Sequence, residues 1–301
     1  MMATATQPNP AVERQTSGRR VCVIGAGFSG LGVAQALKRD GIDFDVLEAT
    51  DAVGGNWSHG VYDSSHLISS KRSTAYREFP MPQEWATFAP RENMREYFNS
   101  YADHFGLREH IEHGQEVARI EPIGPDGADG WTVDLVGGER RTYDAVVVAN
   151  GHDWSPNIPT YPGTFTGEQL HSKQYFRPGD VKGERVLVVG AGNSAVDIAV
   201  ELSSTRAVDV SMRRTYWFLP KTIGGVPTAE LDRWWMPEWV QRPAMKLALR
   251  IHPGPMSRYG LPKPEHDIFA TSPTVNETFL AALRHGDLHH RPGIERLDGE
   301  T

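Results

Sequence analysis

The sequence predicts an α/β fold of two parallel-sheet units, the second inserted into the first. Three observations predict it. A strand, a glycine loop and a helix begin near Val21, and a second such set begins near Arg185. Between them runs a strand meander closed by a returning apolar strand, Asp144 to Val148. A strand that feeds a helix through a tight glycine turn is the repeating half of a doubly wound sheet.

The first set reads VCVIGAGFSGLGVAQAL, with Gly25, Gly27 and Gly30. Cys22 to Ile24 form the strand end, and Leu31, Ala34 and Leu37 fall on one side of the helix. Gly25 permits the turn, Gly27 lets a pyrophosphate approach the backbone, and Gly30 lets helix and strand pack closely. The helix start, with Phe28 and Ser29, offers N–H groups and the positive dipole end to a phosphate. The next strand, Phe44 to Leu47, ends at Glu48, about 20 residues past the glycines. A carboxylate there can accept from both ribose hydroxyls and repels a 2′-phosphate. This site suits FAD or NAD and suits NADP poorly. Gly54 and Gly55 follow and allow close backbone approach. Asn56 and Trp57 come next and read as further lining of the first site.

The second set reads VLVVGAGNSAVDIAVEL, with Gly190, Gly192 and Ala195, and Asn193 and Ser194 at the helix start. Arg185 to Val189 give the strand and Ala195 to Leu202 the helix. The next strand, Val208 to Met212, ends in Arg213 and Arg214 in place of an acid. The planar fork of arginine pairs with a 2′-phosphate, so this site reads as NADPH. A solvated strand end is the other reading of the pair. The two sets are Rossmann-like dinucleotide-binding domains. Two in one chain suggest that electrons pass from one dinucleotide to the other.

The remaining elements fall into place around them. Arg91 to Phe105 has helical spacing, with Met94, Tyr97, Phe98, Tyr101 and Phe105 as a core stripe. Gln115 to Ile120 and the alternating Trp131 to Val136 form a strand and its hairpin partner. Residues 1–18 read as a disordered tail and 19–157 as the N-terminal part of an FAD-binding domain. Pro156, Pro159 and Pro162 mark the crossing to an NADPH-binding domain, 158–301. A Trp-rich helical insertion near 231–251 interrupts the latter. It reads as a substrate-entry lid, a membrane-surface or partner contact, or a packed helical subdomain.

Composition sets bounds. At 301 residues the chain holds about two domains. A charge of −7 argues against a nucleic-acid surface. No apolar run reaches the length of a membrane span, and the polar N-terminus lacks a signal-peptide core. The single cysteine, Cys22, allows no internal disulfide, which fits a cytoplasmic location. His285, His289 and His290 lack partners at ligand spacing, so no metal is expected. Nothing in the sequence fixes an oligomeric state, and a homo-oligomer stays open. No catalytic triad or paired carboxylates stand out.

A third motif lies between the loops: Phe165, Gly167, His171 and Tyr175, with Pro178 beyond. Together with the two loops, with SSKRSTAYREFPMP from Ser69 to Pro82, and with the stretch from Tyr259 onward, it resembles the flavin-containing monooxygenases. These are the class B flavoprotein monooxygenases. Tyr175, where Baeyer–Villiger relatives usually carry Trp, favours the N- and S-oxygenating branch. The resemblance implies that NADPH reduces FAD and that dioxygen adds as a C4a-hydroperoxyflavin. One oxygen then passes to an amine nitrogen or sulfur of a small molecule. It counts Ser70 and Val117 with the FAD site and sets Ser172 and Tyr175 against bound NADP. His171 reads as a structural residue that organises loops, or as a residue near NADP. Two departures stand out. Ile68 occupies a position where many members carry Asn, and the chain ends before the segment that returns to the FAD domain. The FAD domain is therefore expected to be incomplete at its C-terminal side. An NADPH oxidase releasing hydrogen peroxide, and a non-catalytic nucleotide-binding fragment, are the alternatives.

Overall fold

The computed structural model describes residues 20–231, 237–268 and 270–300. The expected disordered tail, and residues 232–236 of the Trp-rich segment, lie outside them. The chain forms two compact units. One runs to Gly60 and takes Glu92–Ser155; the other takes Val61–Arg91 and the chain from Pro156 onward.

In the first unit, β1 (Arg20–Ile24) passes through the glycine loop into α1 (Phe28–Arg39) and returns in β2 (Asp43–Glu48). Two single turns follow, α2 (Asn56–His59) and α3 (Lys71–Thr74), the latter in the other unit. Then come α4 (Arg91–His104), β3 (Ile111–His113), β4 (Val117–Pro122), β5 (Trp131–Leu135), β6 (Arg140–Tyr143) and β7 (Ala145–Val148). The parallel sheet has the order β3-β2-β1-β7, with Ile24 opposite both Leu47 and Val148. Strands β4, β5 and β6 form the antiparallel meander; β6 is a third strand beyond the expected pair. Cys22, Leu47, Val133, Leu135 and Tyr143 make the core between the two sheets. Burial there pushes the Cys22 thiol up to about 12. Met94, Tyr97, Phe98 and Tyr101 of α4 are buried as the apolar spacing requires.

The second unit repeats the pattern. β8 (Gly163–Phe165) leads to β9 (Arg185–Val189), α5 (Asn193–Ser203) and β10 (Ala207–Ser211). The short strands β11 (Phe218–Leu219), β12 (Thr222–Ile223) and β13 (Val226–Pro227) precede α6 (Glu238–Ile251) and β14 (Thr274–Val275). α7 (Thr278–His285), β15 (Leu288–Arg291) and β16 (Leu297–Gly299) follow. The parallel sheet has the order β15-β10-β9. His289 and His290 belong to β15, and among the described residues no group of three or more His, Cys, Asp or Glu is placed to hold a metal.

The sequence division at 157 puts residues 61–91 with the first unit; their contacts put them with the second. Tyr62 is one of the ties. Its ring lies in the second core beside Val196, Ala199 and Tyr175, and its hydroxyl donates to Asp197 Oδ2 at 2.8 Å.

Candidate nucleotide sites

The two glycine loops are built alike. Gly25 N–H donates to the Leu47 carbonyl at 2.8 Å, and Gly190 N–H donates to the Ser211 carbonyl at 2.9 Å. Each loop is thereby tied to the end of the next strand. The residues just past those carbonyls are Glu48 in one unit, and Met212, Arg213 and Arg214 in the other.

The glycines answer to different constraints. Gly25 and Gly190 have φ of 100° and 114°, which disfavours a side chain. A Cβ on Gly30 would stand 1.8 Å from the Gly25 carbonyl oxygen, so helix packing requires the glycine. Gly27 and Gly192 have φ of −79° and −72°, open to any residue. A Cβ on Gly27 would come no nearer than 3.8 Å to Gly55 Cα, and one on Gly192 would meet nothing within 4 Å. The fold itself does not need glycine at these two positions. No side chain caps either helix start, which leaves the backbone donors of α1 and α5 for a ligand anion. Residues 28, 29 and 194, at these helix starts, are solvent-exposed.

In the first unit Glu48 is buried and preorganised. Its Oε2 accepts from Ala26 N–H at 2.7 Å, and its Oε1 accepts from Thr50 N–H at 2.8 Å and from the Thr50 hydroxyl at 2.7 Å. A carboxylate has about four acceptor positions, so one remains for a ribose hydroxyl. The Thr50 hydroxyl also reaches the Ala52 carbonyl at 3.1 Å. Turning to that carbonyl would free a second position. Sequence reading missed Thr50; the Glu-x-Thr spacing was its signal. Gly54 N–H donates to the Ala26 carbonyl at 2.9 Å, and a Cβ on Gly55 would stand 3.2 Å from Gly27 Cα. Gly55, Asn56 and Trp57 therefore begin directly against the loop. Past Glu48, a cavity of about 390 Å³ is lined by Ala49, Gly114, Gln115, Glu116, Val136 and Gly137. Val117, half-buried at the start of β4, follows Glu116 in the chain.

In the second unit Asn193 is anchored, its Oδ1 accepting from Val275 N–H at 2.8 Å. Arg213 and Arg214 are exposed and make no ion pair among the described residues; the Arg214 guanidinium stands 5.6 Å from the Tyr216 ring centroid.

Ser70, Ser172 and Tyr175 all belong to the second unit. Ser70, expected at the first site, is buried in the second unit. There it caps α3 and its hydroxyl donates to Glu230. Tyr175, expected against NADP, is 3% exposed, and its hydroxyl donates to Glu201 Oε2 of α5 at 2.6 Å. Its ring has no face open to a ligand, because the core of the second unit takes it. Burial first, and the bond to Glu201 second, hold its hydroxyl protonated well above the usual range. Ser172 is half-buried in the turn Ser172–Gln174 beside it. His171 caps that turn: its Nδ1 accepts from Lys173 N–H at 3.2 Å, and its N–H donates to Gln174 Oε1 at 2.9 Å. A Cβ on Gly167 would stand 2.5 Å from the Phe165 ring, so a side chain there would make that ring shift. Lys71 was not singled out; its ammonium gathers the carbonyls of Pro82, Gln83 and Trp85.

Two glycine loops of this geometry, each with its own parallel sheet, define a class of proteins with two dinucleotide-binding folds in one chain. Within that class, residues 18–231 match the flavin-binding monooxygenase-like family, and the chain belongs to it. It is 35% identical over 222 residues to dimethylaniline monooxygenase [N-oxide-forming] 2 of Oryctolagus cuniculus, covering 67% of this chain and 41% of that protein. It is 29% identical to flavin-containing monooxygenase 3 of Rattus norvegicus, covering 93% of this chain and 57% of that protein. The chain thus spans about two to three fifths of the length of these relatives. Among solved structures, a variant flavin monooxygenase from Stenotrophomonas maltophilia superposes with a TM-score of 0.70 at 26% identity, covering 93% of this chain and 72% of that one. S-allyl-L-cysteine S-oxygenase from Allium sativum gives a TM-score of 0.58 at 25% identity, covering 67% and 52%.

Proposed function

We propose that the protein is an NADPH- and FAD-dependent monooxygenase that oxygenates a soft nucleophile, an amine nitrogen or sulfur, on a small molecule. The observation that carries the reading is the pair of matched loops whose strand ends differ in charge, Glu48 in one and Arg213–Arg214 in the other. Bound FAD would supply the redox chemistry, taking hydride from NADPH and activating dioxygen. The N–H groups at the start of α1 would hold its pyrophosphate, and Gly27 would give that phosphate room. Glu48, fixed by Ala26 and Thr50, would accept from the ribose. The cavity beside Ala49 and Val136 is large enough for an adenine. The start of α5 and Gly192 would hold the second pyrophosphate, with Arg213 and Arg214 on the 2′-phosphate. Ser172 and Tyr175 would support that site from behind, through Glu201 of α5.

The test is an absorbance spectrum of the purified chain with FAD, before and after anaerobic NADPH. A flavin band that bleaches is the expected result. A chain that holds no flavin overturns the first-site assignment. Arg213→Ala with Arg214→Ala should weaken NADPH binding by about tenfold to a hundredfold, as loss of charge-assisted bonds does. NADH binding should change little. Equal losses for both nucleotides would remove the arginines from the 2′-phosphate.

A second reading, an NADPH oxidase, rests on Ile68, an exposed apolar side chain that offers no hydrogen bond. Product stoichiometry separates the two: an oxidase releases hydrogen peroxide in step with NADPH consumed and leaves candidate amines and thioethers unchanged.

A further inference from the structure

Lys221 and His66 meet through their side-chain nitrogens, Nζ against Nε2. Both belong to the second unit, and backbone bonds hold each in place. The Lys221 carbonyl accepts from Thr228 N–H at 2.8 Å, and the Thr228 hydroxyl donates to the Pro220 carbonyl at 2.6 Å. On the other side, His66 forms an antiparallel bridge with Pro90, and Leu67 N–H donates to the Ala89 carbonyl at 2.9 Å. Phe88, on the same stretch, has its ring centroid 5.4 Å from Nζ.

The tautomer of His66 follows from its other ring nitrogen. Nδ1 stands 3.1 Å from the Ser64 carbonyl oxygen, which only accepts, so Nδ1 carries a hydrogen. The contact between Nε2 and Nζ then holds one proton. Either an ammonium donates to a neutral imidazole, or an imidazolium donates to a neutral amine. The net charge is the same in both forms, and in the second Nζ is uncharged.

Other lysines of the chain are placed differently. Lys38, Lys182 and Lys246 face the carboxylates of Glu109, Glu168 and Asp267, and Lys71 gathers three carbonyls. Such partners hold an amine in its charged form. Lys221 makes no ion pair among the described residues. The carboxylates that act on it from a distance are engaged elsewhere. Asp197 of α5 accepts from Tyr62 and Asn276, and Glu277 accepts from the N–H and the hydroxyl of Thr222. Burial lowers the Lys221 pKa below the usual lysine value, against the pull of Asp197 and Glu277. Lys221 is half-buried, neither sealed in the core nor fully solvated. Desolvation of this kind turns a lysine into a Schiff-base nucleophile.

We propose that Lys221 is a nucleophilic amine that takes a small aldehyde as an imine, with His66 as its proton acceptor. His66 Nε2 receives the ammonium proton. The Nζ lone pair bonds to the carbonyl carbon while the C=O π pair moves onto oxygen. Protons relayed through His66 convert that oxygen to water, which leaves as the C=N bond forms. An ammonium and an aldehyde thus become a protonated imine and one water, with no change of oxidation state. The inference does not depend on the reading of the nucleotide sites.

Butanal with cyanoborohydride, which reduces an imine to a stable alkyl-lysine, tests it on the full 301-residue chain. Peptide mass spectrometry follows each lysine over time. At about pH 7, Lys221 should be alkylated about tenfold faster than the exposed Lys263, the ratio that one pKa unit confers. The rate at Lys221 should level off at lower pH than the rate at Lys263. Glutamine accepts a hydrogen bond from Nζ but cannot take its proton. His66→Gln should therefore slow Lys221 by about tenfold or more and leave Lys263 unchanged. Alkylation of Lys221 no faster than that of Lys263 overturns the proposal. So does a fast Lys221 whose rate His66→Gln leaves unchanged.

Discussion

Gly27 and Gly30 stand on the same turn and fail differently when changed. A Cβ on Gly30 lands on the Gly25 carbonyl, so Gly30→Ala should cost about 1–3 kcal/mol or more through forced overpacking. Gly27→Ala and Gly192→Ala meet no such obstacle and have φ that alanine adopts. Each should leave stability within about 1 kcal/mol of the parent. Binding should suffer instead: Gly27→Ala should weaken FAD, and Gly192→Ala NADPH, by about tenfold, or about 1.4 kcal/mol. Thermal unfolding beside nucleotide titration reads both quantities. If Gly27→Ala destabilises the apoprotein as much as Gly30→Ala, the glycine serves the fold and the ligand argument for it falls. The distinction is invisible in the spacing of a glycine fingerprint. It rests on what lies beyond each missing Cβ, which only the packed structure defines.

At the level of elements, α5 does more than open the second loop. Asp197 and Glu201, four residues apart on one face, accept the hydroxyls of Tyr62 and Tyr175. The two rings lie 6.2 Å apart. One tyrosine comes from the segment before α4 and the other from the motif after β8, so the helix clamps both. Tyr175→Phe should cost about 1.5–3 kcal/mol, the range for a bond to a charged group, and Tyr62→Phe a similar amount. Urea midpoints at constant slope check this. An effect on NADPH affinity without an effect on stability would place the Tyr175 hydroxyl at the ligand after all. The clamp explains which elements the sequence disclosed. Strand, glycine turn and helix are written in neighbouring residues, so both Rossmann-like sets were legible, β9 to the residue. Tyr62 meets Asp197 across 135 positions, and no local pattern encodes that pairing. The same holds for Ser70, whose partner Glu230 lies 160 positions away. β15 was not read from the sequence either: His289 and His290, for which no metal was expected, lie in a parallel strand beside β10.

For the whole molecule, the consequential fact is that each unit carries its own loop, sheet and core. A ligand that binds only the native form of one site stabilises the structure it touches, by about 2.7 kcal/mol at a hundredfold excess over Kd. Two nucleotides with separate sites should therefore protect separate amides from hydrogen exchange. Gly25 N–H and Gly190 N–H are the natural reporters, because each makes the equivalent bond at the base of its loop. FAD should slow exchange at Gly25 and along β1 and β2. NADP+ should slow it at Gly190 and along β9 and β10. On the proposed assignment Glu48 would keep NADP+ from the first loop, since a carboxylate repels a 2′-phosphate, and Arg213 and Arg214 would draw it to the second. Protection by NADP+ at Gly25 alone would reverse the assignment of the two sites. Protection at neither glycine by either nucleotide would leave the chain with the fold of a two-nucleotide enzyme and without its ligands.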